Sequence, residues 1–301
     1  MLTRRHALAF LPAPFLAQPR ALTIDTHIHL FEPSKFPYHS NGTYKPEPAP
    51  LAEYLAFAAQ APIHHAIIVH PEPYQDDHSY LEHCFQNEKP AGLFKGTCLY
   101  DPTDPRTPQR MRALVKKLPG RIVGLRIHAM NPPGEAPLTA GPIKNRDLAS
   151  PQLRDTWAAT ASLGLVVQMH FLPHHAPAIG KLAAQFRDTP VILDHMGRAG
   201  MGQPADFDQI LKLADYPRVY FKYSGVGYSS KQEHPHADAQ PLVRRAFQAF
   251  GANRILWGGL GHNMEAHRKA TDMFDRHFSF VSPQDRALIR GQNAARLFGW
   301  T

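Results

Sequence analysis

The chain has 301 residues, 43% hydrophobic and 19% charged, with 29 prolines, 20 glycines and 19 histidines. That apolar content supports one large core or two smaller ones and excludes disordered and fibrous classes. The formal charge of +8 comes from 33 basic and 25 acidic residues, yet pairs such as Lys116-Lys117 and Arg244-Arg245 are scattered, with no basic run of the kind that binds nucleic acid. The scatter reads as an ordinary soluble basic surface, and a small anionic substrate also fits it.

In chain order, the first feature is Thr3-Arg4-Arg5-His6-Ala7-Leu8, a twin-arginine pair leading into an apolar stretch to Ala17 and small residues near Ala21. Residues 1–21 are therefore expected to be a twin-arginine (Tat) export signal, sending the protein to the periplasm or outside the cell; the alternative is a cytoplasmic leader. Removing them takes away Arg4, Arg5 and Arg20 and lowers the charge to +5. Residues 22–301 contain no linker or low-complexity tract, so a single domain is expected there. No stretch reaches the roughly 18 apolar residues of a membrane span. Cys84 and Cys98 have no paired spacing, which leaves histidine or carboxylate as the only metal ligands available.

Eight apolar or β-branched runs read as strands: Leu22 to Thr26, Ala66 to His70, Leu93 to Tyr100, Ile122 to Ile127, Leu165 to His170, Val191 to His195, Val219 to Ser224 and Ile255 to Gly258. Helical periodicity fills the intervals, around Leu51 to Ala61, Tyr80 to Glu88, Pro108 to Leu118, Pro151 to Leu163, Ala176 to Phe186, Asp206 to Ala214, Asp238 to Phe250 and Glu265 to His277. A last helical segment opens at Ser282-Pro283, an N-cap followed by proline, and closes at Gly299. Eight alternations predict an α/β (β/α)8 TIM barrel. A doubly wound open sheet is the runner-up, weakened because the first strand lacks a GxGxxG turn.

In such a barrel chemistry belongs at the carboxyl ends of the strands. His27 and His29 close strand one, His70 strand two, Arg126 and His128 strand four, His170 strand five, His195 strand six and Lys222 strand seven. Alternation sends residues i and i+2 of a strand to one side, so His27 and His29 share a face. They are either two ligands of one divalent ion or a hydrogen-bonded pair. His170 and His195 could complete an all-nitrogen set for zinc or manganese, with metal-free action as the alternative. Arg126, Arg198 and Lys222 supply cations for an acidic substrate, unless they pair with Asp25 or Asp194. Ser224 lacks a nucleophile-elbow context. His64, His65, His174 and His175 fall outside the strand ends and are read as ordinary helix or loop histidines.

The ordered set Ile24-Asp25-Thr26-His27-Ile28-His29, Gly124-Leu125-Arg126, Leu193-Asp194-His195-Met196-Gly197-Arg198, Phe221-Lys222-Tyr223-Ser224-Gly225, Arg254-Ile255-Leu256-Trp257-Gly258 and Asn293-Ala294-Ala295-Arg296-Leu297-Phe298-Gly299 resembles the amidohydrolase superfamily. The likeness is to its amidohydrolase-related group, which includes sugar-lactone and 2-pyrone-4,6-dicarboxylate lactonases. The resemblance implies a (β/α)8 barrel that hydrolyses lactones or related esters of small carboxylated or sugar-derived molecules, with or without a divalent metal. It also implies that His27, His29 and His195 surround the substrate carbonyl and that Arg198 holds a substrate carboxylate. After strand eight the family carries Trp-Gly-Ser-Asp, the aspartate serving as general base, whereas this chain reads Trp257-Gly258-Gly259-Leu260-Gly261-His262. Leu260 cannot accept a proton. His262 is the expected replacement, with Glu265 a more distant one. A decarboxylase of the same superfamily and a binding barrel without turnover are the alternatives.

Overall fold

A computed structural model describes residues 22–300. The export signal expected over residues 1–21 lies outside the described residues. Eight parallel strands follow one another in chain order: β1 (Ile24–Ile28), β2 (His65–Val69), β3 (Phe94–Leu99), β4 (Ile122–Ala129), β5 (Val166–Phe171), β6 (Val191–Leu193), β7 (Val219–Tyr223) and β8 (Ile255–Trp257). The helices between them are α1 (Leu51–Ala58), α2 (Ser79–Gln86), α3 (Thr107–Lys117), α4 (Pro151–Ser162), α5 (Ala176–Gln185), α6 (Pro204–Lys212), α7 (Gln240–Phe250) and α8 (Met264–His277). The chain closes with α9 (Pro283–Ala287) and α10 (Asn293–Phe298). The sequential strand order is that of a (β/α)8 barrel and rules out the doubly wound sheet, in which the order reverses.

β8 returns beside β1, and side chains bridge that seam. The Thr26 hydroxyl donates to the Trp257 carbonyl (2.7 Å) and the Gly259 N–H donates to Asp25 Oδ1 (2.8 Å). Inside the barrel, Ile24, Ile67, Val69, Val166, Ile192 and Leu256 form one apolar cluster, which Ala294 and Phe298 of α10 complete. The larger apolar layer lies between the sheet and the helices, where Trp157, Phe94, Phe207 and Phe274 are fully buried. The Ser282 cap forms as expected, its side chain accepting from Asp285 N–H, and Gly299 ends the chain's last helix in the left-handed conformation that suits glycine.

The register explains which side chains reach the interior. Gly124, Arg126 and His128 pair with Val166, Gln168 and His170, so these β4 and β5 side chains share the inner face. Likewise Gln168 pairs with Ile192, Ile192 with Tyr220, and Lys222 with Leu256. In β1, Ile24 pairs with His65 but Ile28 pairs with Ile68, which inserts one extra residue between Asp25 and Ile28. Strict alternation from Ile24 would send Thr26 and Ile28 inward. The bulge reverses the phase, and His27 and His29 turn into the barrel instead.

Candidate active site

β6 ends at Leu193, two residues short of the strand expected from sequence. Asp194 keeps the inward phase of Ile192, so alternation alone would point His195 outward. The chain corrects this with a left-handed turn: His195, Met196, Gly197 and Arg198 all have φ between 52° and 62°. Left-handed backbone costs a non-glycine residue about 1–2 kcal/mol, and such strain persists where surrounding structure enforces it, commonly at functional sites. Here the turn brings both His195 and Arg198 to the barrel mouth.

The deepest layer is polar and centred on Asp194. Asp194 is fully buried, with Oδ2 accepting from Arg126 Nε (3.2 Å) and Gln168 Nε2 (2.9 Å), and Oδ1 ion-paired with Lys222 Nζ at 3.1 Å. Lys222 Nζ also donates to the Thr26 carbonyl (3.0 Å). Burial alone would raise the Asp194 pKa, but the charges of Lys222 and Arg126 outweigh it and hold the carboxyl well below its usual range. Lys222 was expected to face substrate. It is instead fully buried beneath the mouth, paired with Asp194, and takes no part in the cavity wall. Arg126 shares that carboxylate but does reach the wall.

Above this layer the imidazoles converge. His27 Nε2 and His29 Nε2 are 3.2 Å apart, and the His27 and His195 rings have centroids 4.5 Å apart. His29 Nδ1 lies 2.7 Å from the Val69 carbonyl, which places its proton on Nδ1 and a lone pair on Nε2. His27 Nδ1 faces Asp194 Oδ1 at 3.6 Å, and His195 Nδ1 lies 3.0 Å from Ser224 Oγ. Burial, more than any neighbouring charge, keeps His27, His29, His128 and His170 well below the ordinary imidazole pKa and lowers His195 to about 3. The cluster is therefore neutral at pH 7, which leaves each imidazole one nitrogen able to accept a hydrogen bond or ligate a metal. His27, Asp194 and His195 offer donor atoms within 4.8 Å of one another. His170, placed in the ligand set by sequence, instead accepts from Arg198 Nε (3.0 Å) and a terminal Arg198 nitrogen (2.7 Å) through its Nε2.

These groups border a cavity of about 430 Å³ whose wall includes His29, His128, His170, His195, Arg126 and Arg198, with Tyr44, Glu72, Lys144, Tyr228 and Leu260. Arg198 is 8% exposed and stacks 3.9 Å from the Tyr228 ring centre. No carboxylate lies within salt-bridge distance of Arg198 or Lys144 among the described residues. Leu260, at φ 58°, occupies the wall after β8, held by backbone hydrogen bonding of the Gly259–Leu260 turn to Asp25. His262 lies outside the wall, half-buried, with its ring 6.4 Å from Tyr54 and its Nδ1 unpartnered; burial lowers its pKa.

The Amidohydrolase family model matches residues 24–300. This chain belongs to that family. A 4-sulfomuconolactone hydrolase from Rhizobium radiobacter is 29% identical to this amidohydrolase over 242 residues, covering 78% of this chain and 73% of that one. A probable 2-pyrone-4,6-dicarboxylic acid hydrolase from Acinetobacter baumannii, crystallised with citric acid, has the same fold (TM-score 0.69, 20% identity, 92% and 99% of the two chains). So does an amidohydrolase from Burkholderia multivorans with bound zinc (TM-score 0.67, 19% identity, 93% and 99%).

Sequence reasoning named Asp194 as an alternative partner of the cations, which Arg126 and Lys222 prove to be, but not as the hub of the site. Tyr44, Glu72, Lys144 and Tyr228 come from loops, where no periodicity marks them.

Proposed function

We propose that this amidohydrolase opens a small anionic lactone or related ester by attack of water on the ring carbonyl. The observation that carries the reading is Arg198, a buried guanidinium without a carboxylate partner among the described residues, in the same cavity wall as His29 and His195. A carboxylate or sulfonate bound there relieves an uncompensated charge through charge-assisted hydrogen bonds. The 4-sulfomuconolactone hydrolase, by its name, acts on a lactone bearing such a group.

The donor set suits one divalent ion of zinc or manganese type. His27, Asp194 and His195 offer donor atoms within 4.8 Å of one another, and His27 Nδ1 is buried without a hydrogen-bond partner, facing Asp194 Oδ1 at 3.6 Å. His27, His195 and Asp194 would hold it, with His29 adjoining; this differs from the all-histidine set by exchanging His170 for a carboxylate. Such an ion polarises a carbonyl and lowers the pKa of water to about 7, which reduces the demand on a protein base. The residues themselves do the rest. Ser224 fixes the His195 ring through Nδ1 and leaves Nε2 free for the ion, Arg198 fixes the anionic group, and the buried Arg126–Asp194–Lys222 layer holds the imidazoles in place. His262, its Nδ1 unpartnered and its pKa lowered by burial, is the acceptor assigned to the water proton, although it lies outside the cavity wall.

Sugar lactones and carboxylated or sulfonated lactones, assayed with and without zinc or manganese, test this reading. Hydrolysis of an anionic lactone, lost in His27→Ala together with bound metal, is expected. Full activity in metal-free protein would remove the ion from the scheme. Leu260 in the wall favours a second reading, a binding barrel without turnover, and thermal stabilisation by lactones with no product would select it.

A further inference from the structure

A buried Glu–Gln pair, whose Glu72 reaches the cavity wall, lies outside the histidine cluster. The Glu72 carboxylate, 4% exposed, accepts from Thr43 N–H (3.0 Å), Thr43 Oγ1 (3.0 Å) and Gln75 Nε2 (2.7 Å). Gln75, 1% exposed, uses its other side-chain atom to accept from Ile143 N–H (2.7 Å), and its backbone carbonyl faces His70 Nε2 at 3.0 Å. Gln75 adopts φ 50°, a conformation that costs a non-glycine residue energy and that its buried bonds hold in place. This one pair therefore joins three loops, those after β1, β2 and β4. In two of them the clamped residue is followed at once by a residue of the cavity wall: Thr43 by Tyr44 and Ile143 by Lys144.

The loop after β4 has no regular structure of its own between Ala129 and Pro151. Besides Gln75 it is held by Arg146, 3% exposed, whose Nε pairs with Asp101 (2.6 Å) and whose terminal nitrogens donate to the carbonyls of Gly141 (3.0 Å) and Pro142 (2.8 Å). A flexible lysine without a carboxylate partner, on a loop fixed by buried polar groups, is a point charge set at a chosen place.

We propose that Glu72 and Gln75 are positioning residues which lock the loops after β1 and β4 together and so hold Lys144 in the cavity wall to receive an anionic group of the substrate. The substrate part of this inference rests on the anionic-lactone reading above. Lys144 is the specificity residue; Gln75 acts through it.

The test is a binding cycle with a rigid aromatic dianion, isophthalate, titrated into the full-length protein by calorimetry. Lys144→Ala and Gln75→Leu should each weaken binding roughly tenfold, the scale of one charge-assisted contact, and the double variant should lose no more than either alone. Hydrogen exchange should show peptides covering residues 39–47 and 138–146 both losing protection in Gln75→Leu, although Gln75 touches only the second. Thr43→Val, which removes one bond to Glu72 from the other loop, is the companion should Gln75→Leu fold poorly, and should deprotect the same two peptides. Additive losses, or deprotection of one loop only, would overturn the positioning role. Unchanged affinity in Lys144→Ala with affinity lost in Arg198→Gln would overturn this inference and leave the anionic-lactone reading standing. No binding of isophthalate to wild type would overturn this inference, while the lactone assays decide the anionic-lactone reading separately.

Discussion

His262 carries the sharpest question at the scale of single residues, because Leu260 stands where the family's catalytic aspartate is expected. A positioned general base contributes roughly 10²–10⁴-fold to rate. His262→Ala should therefore lower kcat on a hydrolysed anionic lactone by about 10² or more while the melting temperature stays near wild type, since the ring is only half-buried. An unchanged kcat would exclude His262 as the acceptor. Asp194 is the contrasting residue. It neutralises Arg126 and Lys222 and faces His27, so a variant there mixes chemistry with stability: removing one partner of buried ion pairs costs about 3–5 kcal/mol. His262 separates the two effects and Asp194 does not.

Local irregularities, rather than the regular strands, deliver the imidazoles of the cavity at the scale of elements. The extra residue in β1 reverses the facing of His27 and His29, and the left-handed turn after β6 recovers His195 from the outward phase. A third device follows β7, where Gly225 at φ 53° passes so close to the site that a Cβ would lie 2.6 Å from His195 Nδ1. Gly225→Ala should strain the turn by about 1–2 kcal/mol and displace the His195 ring. Because misplacement of a reacting group by about 1 Å can cost 10²-fold, the expected result is a large loss of kcat with a small loss of melting temperature. Wild-type turnover in that variant would show that His195 tolerates displacement and has no positional role. Alternation let the sequence predict that His27 and His29 share a face. Which face they share depends on the bulge, which leaves no mark in the hydrophobic pattern.

At the scale of the whole molecule, burying so many neutral imidazoles makes the fold sensitive to acid. Burial lowers the His70 pKa to about 4 and that of His195 to about 3, against about 6.5 in an unfolded chain. The unfolded chain therefore binds more protons between those limits. Their stabilising contribution is full above about pH 6.5 and is lost as pH falls toward 4 and 3. Asp25 works in the opposite sense: burial raises it to about 7, so its contribution is present below about 4 and lost as pH rises through about 7. Histidines outnumber it, and melting curves should show the midpoint falling steadily from pH 7 to pH 4. A flat or rising midpoint across that range would contradict the burial of these rings as neutral groups.

The sequence by itself determined the barrel, because eight alternations of period-two and period-3.6 patterning admit few architectures, and it determined the inventory of strand-end histidines and cations. Strand-end motifs of the family were equally legible, since they are contiguous in the chain. Only the tertiary structure decided the roles within that inventory. It paired Lys222 with Asp194 below the cavity, tied His170 to Arg198, kept His262 out of the wall, and drew Tyr44, Glu72 and Lys144 in from loops. The physical reason is that periodicity records which face of an element is buried, whereas charge pairing, backbone phase and loop placement depend on neighbours distant in the chain.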